Sequence, residues 1–407
     1  MRNTAGSDTS LFLLSMDMII QVLGLVLAIT SFLGFQRNGK KEEQSVSIQD
    51  TISTQKFNTN EDKRLEKHEL VVLVLTARSE FLQRTAIRKT WAKGFKNVVF
   101  LVGNRDCLLP VKFLKDKYNC SDEIPAAIKN ELENGFLSKS RSIGAYHEPA
   151  RNEINKYLTK LKQIEKTLKT EVLEFGDVHV LNLLDTYRNL PAKLKSGYRF
   201  AVPKFPYAKW FVKVDTDMYL DLGRLTKVMA KHNGGGQYLK FQNQSEKYTV
   251  LGRISTGKVN WNPLDKNGES NYKHRNYPPF PIGSFGHVVS RKIAEYVGEN
   301  AYSLENHQGE DVSLGIWIDE NQILQKNTEF MTPSFITNFK NCSDLNRLMI
   351  GHRLSIEKVE QCHVSKNNHS IRNWSFEDER PRGVRFCRYY PCEKSRTCRE
   401  SCQKMFN

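Results

Sequence analysis

Leu70-Val71-Val72-Leu73-Val74-Leu75 is apolar at every position. A strand with one face in water alternates apolar and polar residues, so an unbroken run of this length suits a strand buried on both faces of an α/β sheet. The next segment, Ser79 to Trp91, reads as a helix with Leu82, Ala86 and Ile87 inward and Arg84, Arg88 and Lys89 displayed beside them. Val98-Val99-Phe100-Leu101-Val102-Gly103 follows as a second buried strand. Strand, helix and strand at this spacing make a βαβ unit, and ligands of such sheets bind beyond the carboxyl ends of the strands.

Further along, Asn152 to Leu173 carries Ile154, Tyr157, Leu161, Ile164, Leu168 and Val172 at helical spacing, a stripe that reads as core packing. Asp177 to Leu181 reads as another strand, and Tyr207 to Val214 as the strand that presents Asp215-Thr216-Asp217. Strand side chains alternate, so Asp215 and Asp217 are expected to face the same way where the apolar run ends. Two converging carboxylates there suit a hard divalent cation and the phosphates it carries. Later, Tyr277-Pro278-Pro279-Phe280-Pro281-Ile282-Gly283 is rigid and aromatic. Glu310-Asp311-Val312 precedes an apolar segment, Leu314 to Ile318.

Outward towards the N-terminus, Gln36 to Lys67 is polar and charged, with few large apolar residues, and reads as a flexible stem. Before it, Met18 to Phe35 is interrupted only by Gln21 and is long enough to span a bilayer. Ser31-Phe32-Leu33 is a poor cleavage site, which favours an uncleaved signal-anchor over a removed signal peptide. Arg2 precedes the segment and Arg37, Lys40 and Lys41 follow it; a positive-inside count would put the N-terminus outside. All eight cysteines lie after residue 100, and six of them crowd into the last 66 positions, the pattern of an oxidising compartment. Cys107 and Cys120 are close enough in sequence to bridge a loop, and disulfides are expected to fasten the Cys-rich tail to the core. No paired Cys-x-x-Cys supports a zinc cluster. Of 407 residues, 61 are Lys or Arg and 45 Asp or Glu, giving +16. The basic residues are spread along the chain without interleaved aromatics, which reads as solvated surface and argues against a nucleic-acid partner.

The ordered set of motifs resembles the β-1,3-galactosyltransferase family. The matching blocks are Arg84 to Trp91, Val99 to Gly103, Glu174 to Lys193 with Asp185-Thr186-Tyr187, Lys213 to Asp217, Tyr277 to Phe280 and Glu310-Asp311-Val312. The resemblance covers about residues 68 to 320. It implies a GT-A-like nucleotide-sugar transferase fold, a Rossmann-like mixed sheet with helices on both faces, behind an N-terminal transmembrane helix. The organisation expected is a cytosolic tail (1–17), a signal-anchor (18–35), a stem (36–67), a luminal catalytic domain (68–340) and a Cys-rich extension (341–407) in a type II protein of the Golgi membrane. Thr216 stands where a middle acid is common, and His287 where Tyr or Phe is typical. The stretch around Ala126 to Pro149 and the tail have no counterpart in the family pattern.

The resemblance further implies transfer of a hexose, galactose first, from a UDP-sugar to a glycan acceptor on glycoprotein or glycolipid, with inversion. N-acetylglucosamine and N-acetylgalactosamine are the alternatives within the family. A non-catalytic luminal glycan-binding protein with a divalent-ion site is the alternative from another class, and metal-dependent UDP release discriminates it. A departing diphosphate calls for Mn²⁺ or Mg²⁺. Asp217 is expected to ligate the metal, and Asp215 to complete the shell through water or contact the ribose. The acceptor hydroxyl needs a carboxylate base, for which Asp311 is the candidate and Glu310, also placed on the donor side, the substitute. Arg84 and Arg88, four apart on one helix face, are candidates for donor phosphate, and Asp185 and Tyr187 for the nucleotide pocket. His307, His352 and His363 are all open as a third metal ligand.

Overall fold

The computed structural model describes residues 69–114, 116–120, 126–138, 148–231, 247–332, 336–337, 342 and 348–368. In chain order, β1 (Leu70–Leu75), α1 (Phe81–Lys89) and β2 (Val98–Arg105) form the expected βαβ unit. Next come α2 (Ala126–Glu133), α3 (Glu148–Phe175), β3 (Val178–Leu184), α4 (Leu190–Lys204), β4 (Trp210–Asp215), β5 (Tyr219–Leu220) and α5 (Leu222–Lys231). They are followed by β6 (Thr249–Gly252), β7 (Ile254–Lys258), β8 (Asn276–Pro281), β9 (His287–Ser290), α6 (Arg291–Glu299), α7 (Glu310–Glu320) and α8 (Gln322–Asn327). The last elements are β10 (Glu329–Met331), β11 (Ile336–Thr337), β12 (Met349–Ile350) and α9 (Ile356–Asn368).

The main sheet has seven strands in the order β10-β6-β9-β4-β1-β2-β3. β4, β1, β2 and β3 run parallel, whereas β9 is antiparallel to both β4 and β6. Every residue of β1 is buried, as its unbroken apolar run requires. Alternate residues feed two cores: Val72 and Val74 pack with Ile87, Leu168 and Leu225 on one face, Val71 and Leu73 with Leu194, Ile293 and Trp317 on the other. Helices therefore cover both faces of a parallel-rich mixed sheet, the layering of a GT-A-like fold.

From β1 the chain steps through β2 to β3 on one side, then returns to lay β4 against the other side of β1. This reversal is the topological switch point at which α/β sheets bind ligands. In the β1–β4 register Leu75 lies opposite Asp215, so the two strands run out together and open their carboxyl ends at the same level.

Several expectations change. Ala86 and Ile87 are buried as expected, but Leu82 is 71% exposed while Arg84 is fully buried, so these two exchange the places read from the sequence. A buried acid on α3, Glu171, is the reason: it gives the guanidinium a partner inside. The domain boundary placed at 340/341 falls inside the fold. β12 pairs with β5, and Cys342, Leu354, Val359 and Cys362 belong to the core that contains Val72 and Val214. Cys107–Cys120 and Cys342–Cys362 are disulfides; the first bridges a loop as expected, whereas the second joins two cysteines of the C-terminal segment to each other and does not tie that segment to the preceding core. The unplaced stretch contributes α2, and Leu132 and Leu137 pack with Leu109, Ile154 and Leu158 in a satellite core. Among the described residues no helix is long and apolar enough to cross a membrane. The anchor Met18 to Phe35, the stem and Cys387, Cys392, Cys398 and Cys402 lie outside the described residues.

Candidate active site

Lys213, in the middle of the apolar strand β4, is 0% exposed and joins the two acidic motifs. Its ammonium donates to Asp215 Oδ1 at 2.9 Å, Glu310 Oε1 at 2.7 Å and the Gly283 carbonyl at 3.3 Å. Lys213 and Asp215 are two apart on one strand and share a face; Glu310 arrives from the first turn of α7, where the helix dipole favours an acid. Burial alone would lower the Lys213 pKa, but Asp215 and Glu310 raise it well above the usual lysine range, so it stays charged.

Asp311 lies beside this pair. The Gly283 amide donates to its Oδ2 at 2.8 Å and the Val312 amide to its Oδ1 at 2.8 Å. Burial, then the neighbouring charge of Glu310, pushes its carboxyl up to about 6, against the pull of these two amides. Asp215 is pushed up to about 6 by burial, which outweighs the stabilising Lys213 charge, with Glu310 and Asp217 adding repulsion. A Cβ at position 283 would stand 2.6 Å from Glu310 Oε1 and 3.1 Å from Asp311 Oδ2, so a larger residue has to displace these carboxylates.

Beyond Asp215 the strand ends, so alternation no longer governs Thr216 and Asp217, which lie in a turn. The expected same-face pair is thus replaced by three separate anchors. Asp215 holds Lys213, the Thr216 hydroxyl donates to Glu80 Oε2 at 3.1 Å, and Asp217 Oδ2 accepts the Arg353 amide at 2.9 Å. Glu80 Oε2 also accepts from Thr76 Oγ1 at 3.0 Å and from the Ala77 amide at 2.8 Å, joining the loops after β1 and β4. Arg353 takes a left-handed φ of 59°, a strained choice for a side-chain-bearing residue that aims its amide at Asp217.

Tyr187 reaches the same region. Burial raises its phenol well above the ordinary value, and the charges of Glu310, Asp311 and Asp215 add to the rise. Asp185 lies at the carboxyl end of β3, but its carboxylate already accepts the Gly103 amide at 2.9 Å and the buried Lys193 ammonium. Arg84 has no N–H left for phosphate: its guanidinium donates to Glu171, Thr76 Oγ1 and the carbonyls of Ala77 and Arg78. Arg88 binds Glu171 and Asp177, and Asp177 precedes β3, at the opposite end of the sheet from Asp215. The donor role expected of these two arginines is therefore corrected to an internal one. His287 is fully buried on β9, its Nε2 3.4 Å from Tyr198 Oη, and it presents nothing to a ligand.

Among the described residues no group of three or more His, Cys, Asp or Glu is gathered for a metal. The donor set nevertheless fits one. Asp217 Oδ1 carries no hydrogen bond among the described residues, and His352, next to Arg353, has a buried Nδ1 without a partner. Of the other histidine candidates, His307 stands 3.5 Å from Glu269, on the β8 side. An Asp oxygen and an imidazole nitrogen, completed by diphosphate oxygens and water, suit Mn²⁺ or Mg²⁺.

Residues 157–329 match the family model described as Galactosyltransferase. The chain is 31% identical over 168 residues to UDP-GalNAc:beta-1,3-N-acetylgalactosaminyltransferase 2 of Xenopus laevis, covering 40% of this chain and 31% of that protein. Its Homo sapiens counterpart is 33% identical over 162 residues, covering 40% and 30%. The Probable beta-1,3-galactosyltransferase 5 of Arabidopsis thaliana is 24% identical over 281 residues, covering 68% and 65%. The chain thus spans under a third of the length of the first two relatives. Asp185, Tyr187, Lys213, Asp215, Asp217, Glu310 and Asp311 all fall within residues 157–329, the part of the chain that is similar to the Galactosyltransferase family model.

Proposed function

We propose that the protein is a UDP-sugar-dependent β-1,3-hexosyltransferase that acts with inversion on a glycan acceptor. The observation that carries this reading is the Lys213 bridge, which brings the Asp215–Asp217 motif and the Glu310–Asp311 motif to one place at the switch point. The donor is a hexose of galacto configuration. UDP-galactose remains the first choice; UDP-N-acetylgalactosamine is the second, supported by the names of the relatives at 31% and 33% identity. Location in the Golgi membrane, with the catalytic part luminal, belongs to the same proposal and rests on Met18 to Phe35 and the crowded cysteines.

Asp217 and His352 are the residues that would hold Mn²⁺ or Mg²⁺. Held there, such an ion would supply positive charge to the departing diphosphate. Asp311 takes the proton of the acceptor hydroxyl. With its carboxyl raised to about 6, it is ionised at pH 7 yet basic enough to accept a proton. Glu310, 6% exposed and held by Lys213, is a supporting charge and not the base. One base and no protein nucleophile make a single displacement, hence inversion.

Two variants test the division of labour. Asp217→Ala should lose metal-dependent UDP binding together with turnover. Asp311→Asn should keep UDP affinity while transfer slows by roughly 10²–10⁴-fold, the reach of general-base catalysis. Near-normal turnover by folded Asp311→Asn protein would remove Asp311 from the role.

A further inference from the structure

The loop between β7 and β8 is held from two sides. Arg188, in the short helical turn Tyr187–Asn189, donates to four of its carbonyls: Pro263 at 3.1 Å, Asp265 at 2.9 Å, Lys266 at 3.3 Å and Gly268 at 2.8 Å. At the other side, Glu269 gathers the amides of Ser270 at 2.9 Å, Asn271 at 2.9 Å and, from the loop leading into α7, Gln308 at 3.1 Å. Asn260 Oδ1 accepts the Asn262 amide and Asn262 Oδ1 the Leu264 amide, so the span has a fixed course of its own.

Both supports sit near the proposed base. The Lys266 ammonium lies 4.3 Å from the Tyr187 ring centroid, and the Tyr272 ring stacks on Tyr277 at 5.5 Å. Asp311 is among the charges that raise the phenols of Tyr187 and Tyr277, after burial in each case. Glu269 holds the amide of Gln308, two residues before Glu310, and Tyr272 and Tyr277 pack with Val312, the residue after Asp311, so the loop is anchored beside Asp311, where the acceptor hydroxyl has to lie. On this pinned loop Trp261 is 49% exposed and Leu264 74% exposed. A loop free to rearrange would bury an indole; one clamped at four carbonyls keeps it displayed.

We propose that the loop 260–268 is an acceptor-recognising wall. The Trp261 indole stacks on the C–H face of a sugar ring of the acceptor, beyond the ring that receives the hexose. Arg188 is its positioning residue. A flat aromatic face matches the apolar face of a pyranose, and the rigid backbone avoids the ordering cost that a mobile loop would impose.

This inference rests on the transferase reading, and the test separates the two. Full-length wild-type, Trp261→Ala and Trp261→Phe proteins are assayed with UDP-galactose and UDP-N-acetylgalactosamine. The acceptors are a methyl β-N-acetylglucosaminide and its β-linked di- and trisaccharide extensions, and the same proteins are applied to a glycan array with UDP and Mn²⁺. Trp261→Ala should raise the KM for the longer acceptors about tenfold, the size of one stacking contact, with UDP affinity and monosaccharide kinetics unchanged. Trp261→Phe should recover part of the loss, and array binding by wild-type protein should weaken in parallel. Equal kinetics on every acceptor with an unchanged array profile would overturn the proposal, as would a uniform loss that includes UDP affinity. If the wild type neither binds UDP nor transfers, the transferase reading fails, and the array comparison alone still decides whether Trp261 contacts glycan.

Discussion

Lys213→Met is the substitution that most sharply separates a designed charge bridge from incidental packing. Methionine matches the stem of lysine, so the apolar contacts of β4 survive and the ammonium alone is lost. That ammonium is fully buried and satisfies Asp215 at 2.9 Å and Glu310 at 2.7 Å, with side chains 33% and 8% exposed. Removing one partner of a buried ion pair typically costs about 3–5 kcal/mol, because the other charge is left without compensation. In a domain of this size each kcal/mol moves the melting temperature by about 2–4 °C, so a fall of roughly 6–20 °C is expected at pH 8. The pH dependence carries the diagnosis. In the variant the orphaned carboxylates have raised pKa values, so between the unfolded value near 4 and the raised folded value the native state binds more protons than the unfolded one. Stability relative to wild type therefore falls as pH rises through that window and is largely regained at pH 5. Thermal melts of both proteins at pH 5 and pH 8 read this directly, and adding Glu310→Gln should return part of the loss at pH 8. A deficit that is the same at both pH values, or is untouched by the second substitution, would refute the bridge.

The remaining expectations concern the base and its support. With Asp311 raised to about 6 by burial and Glu310, kcat/KM for the acceptor should fall about tenfold per unit below pH 6, since only the ionised carboxylate accepts a proton. A profile that stays flat to pH 4.5 would exclude it. Gly283→Ala places a methyl 2.6 Å from Glu310 Oε1 and 3.1 Å from Asp311 Oδ2, so transfer should drop by at least tenfold while UDP affinity changes little. Titration of UDP alongside turnover distinguishes this from a general loss of fold.

The central sheet was legible because burial writes itself into sequence: β1 and the Val98 to Val102 part of β2 are apolar without interruption, as a doubly covered sheet requires. The acidic motifs were legible as chemistry, since Asp215, Asp217 and Asp311 are polar residues at the ends of apolar segments. Their connection is not written in either motif. Lys213 did carry a signal, a lysine in the middle of a buried strand two residues before an acid, which requires a partner on the same face. The partner, Glu310, is 97 positions away and only the fold identifies it. Arg84 misled for the related reason that amphipathic periodicity treats every arginine as surface, whereas Glu171 on α3 makes this one internal. The Arg188 clamp left no trace at all, because its four acceptors are backbone carbonyls, which every sequence supplies.

Product analysis by NMR tests the central claim most directly. Full-length protein is incubated with Mn²⁺, either UDP-galactose or UDP-N-acetylgalactosamine, and a β-N-acetylglucosaminide acceptor, and the purified product is examined. Inverting transfer requires release of UDP, an anomeric proton with the large coupling of a β-linkage, and a through-bond correlation from that anomeric centre to carbon 3 of the acceptor. An α-linked product would contradict the single displacement from Asp311, and hydrolysed donor without a new linkage would contradict the transferase itself.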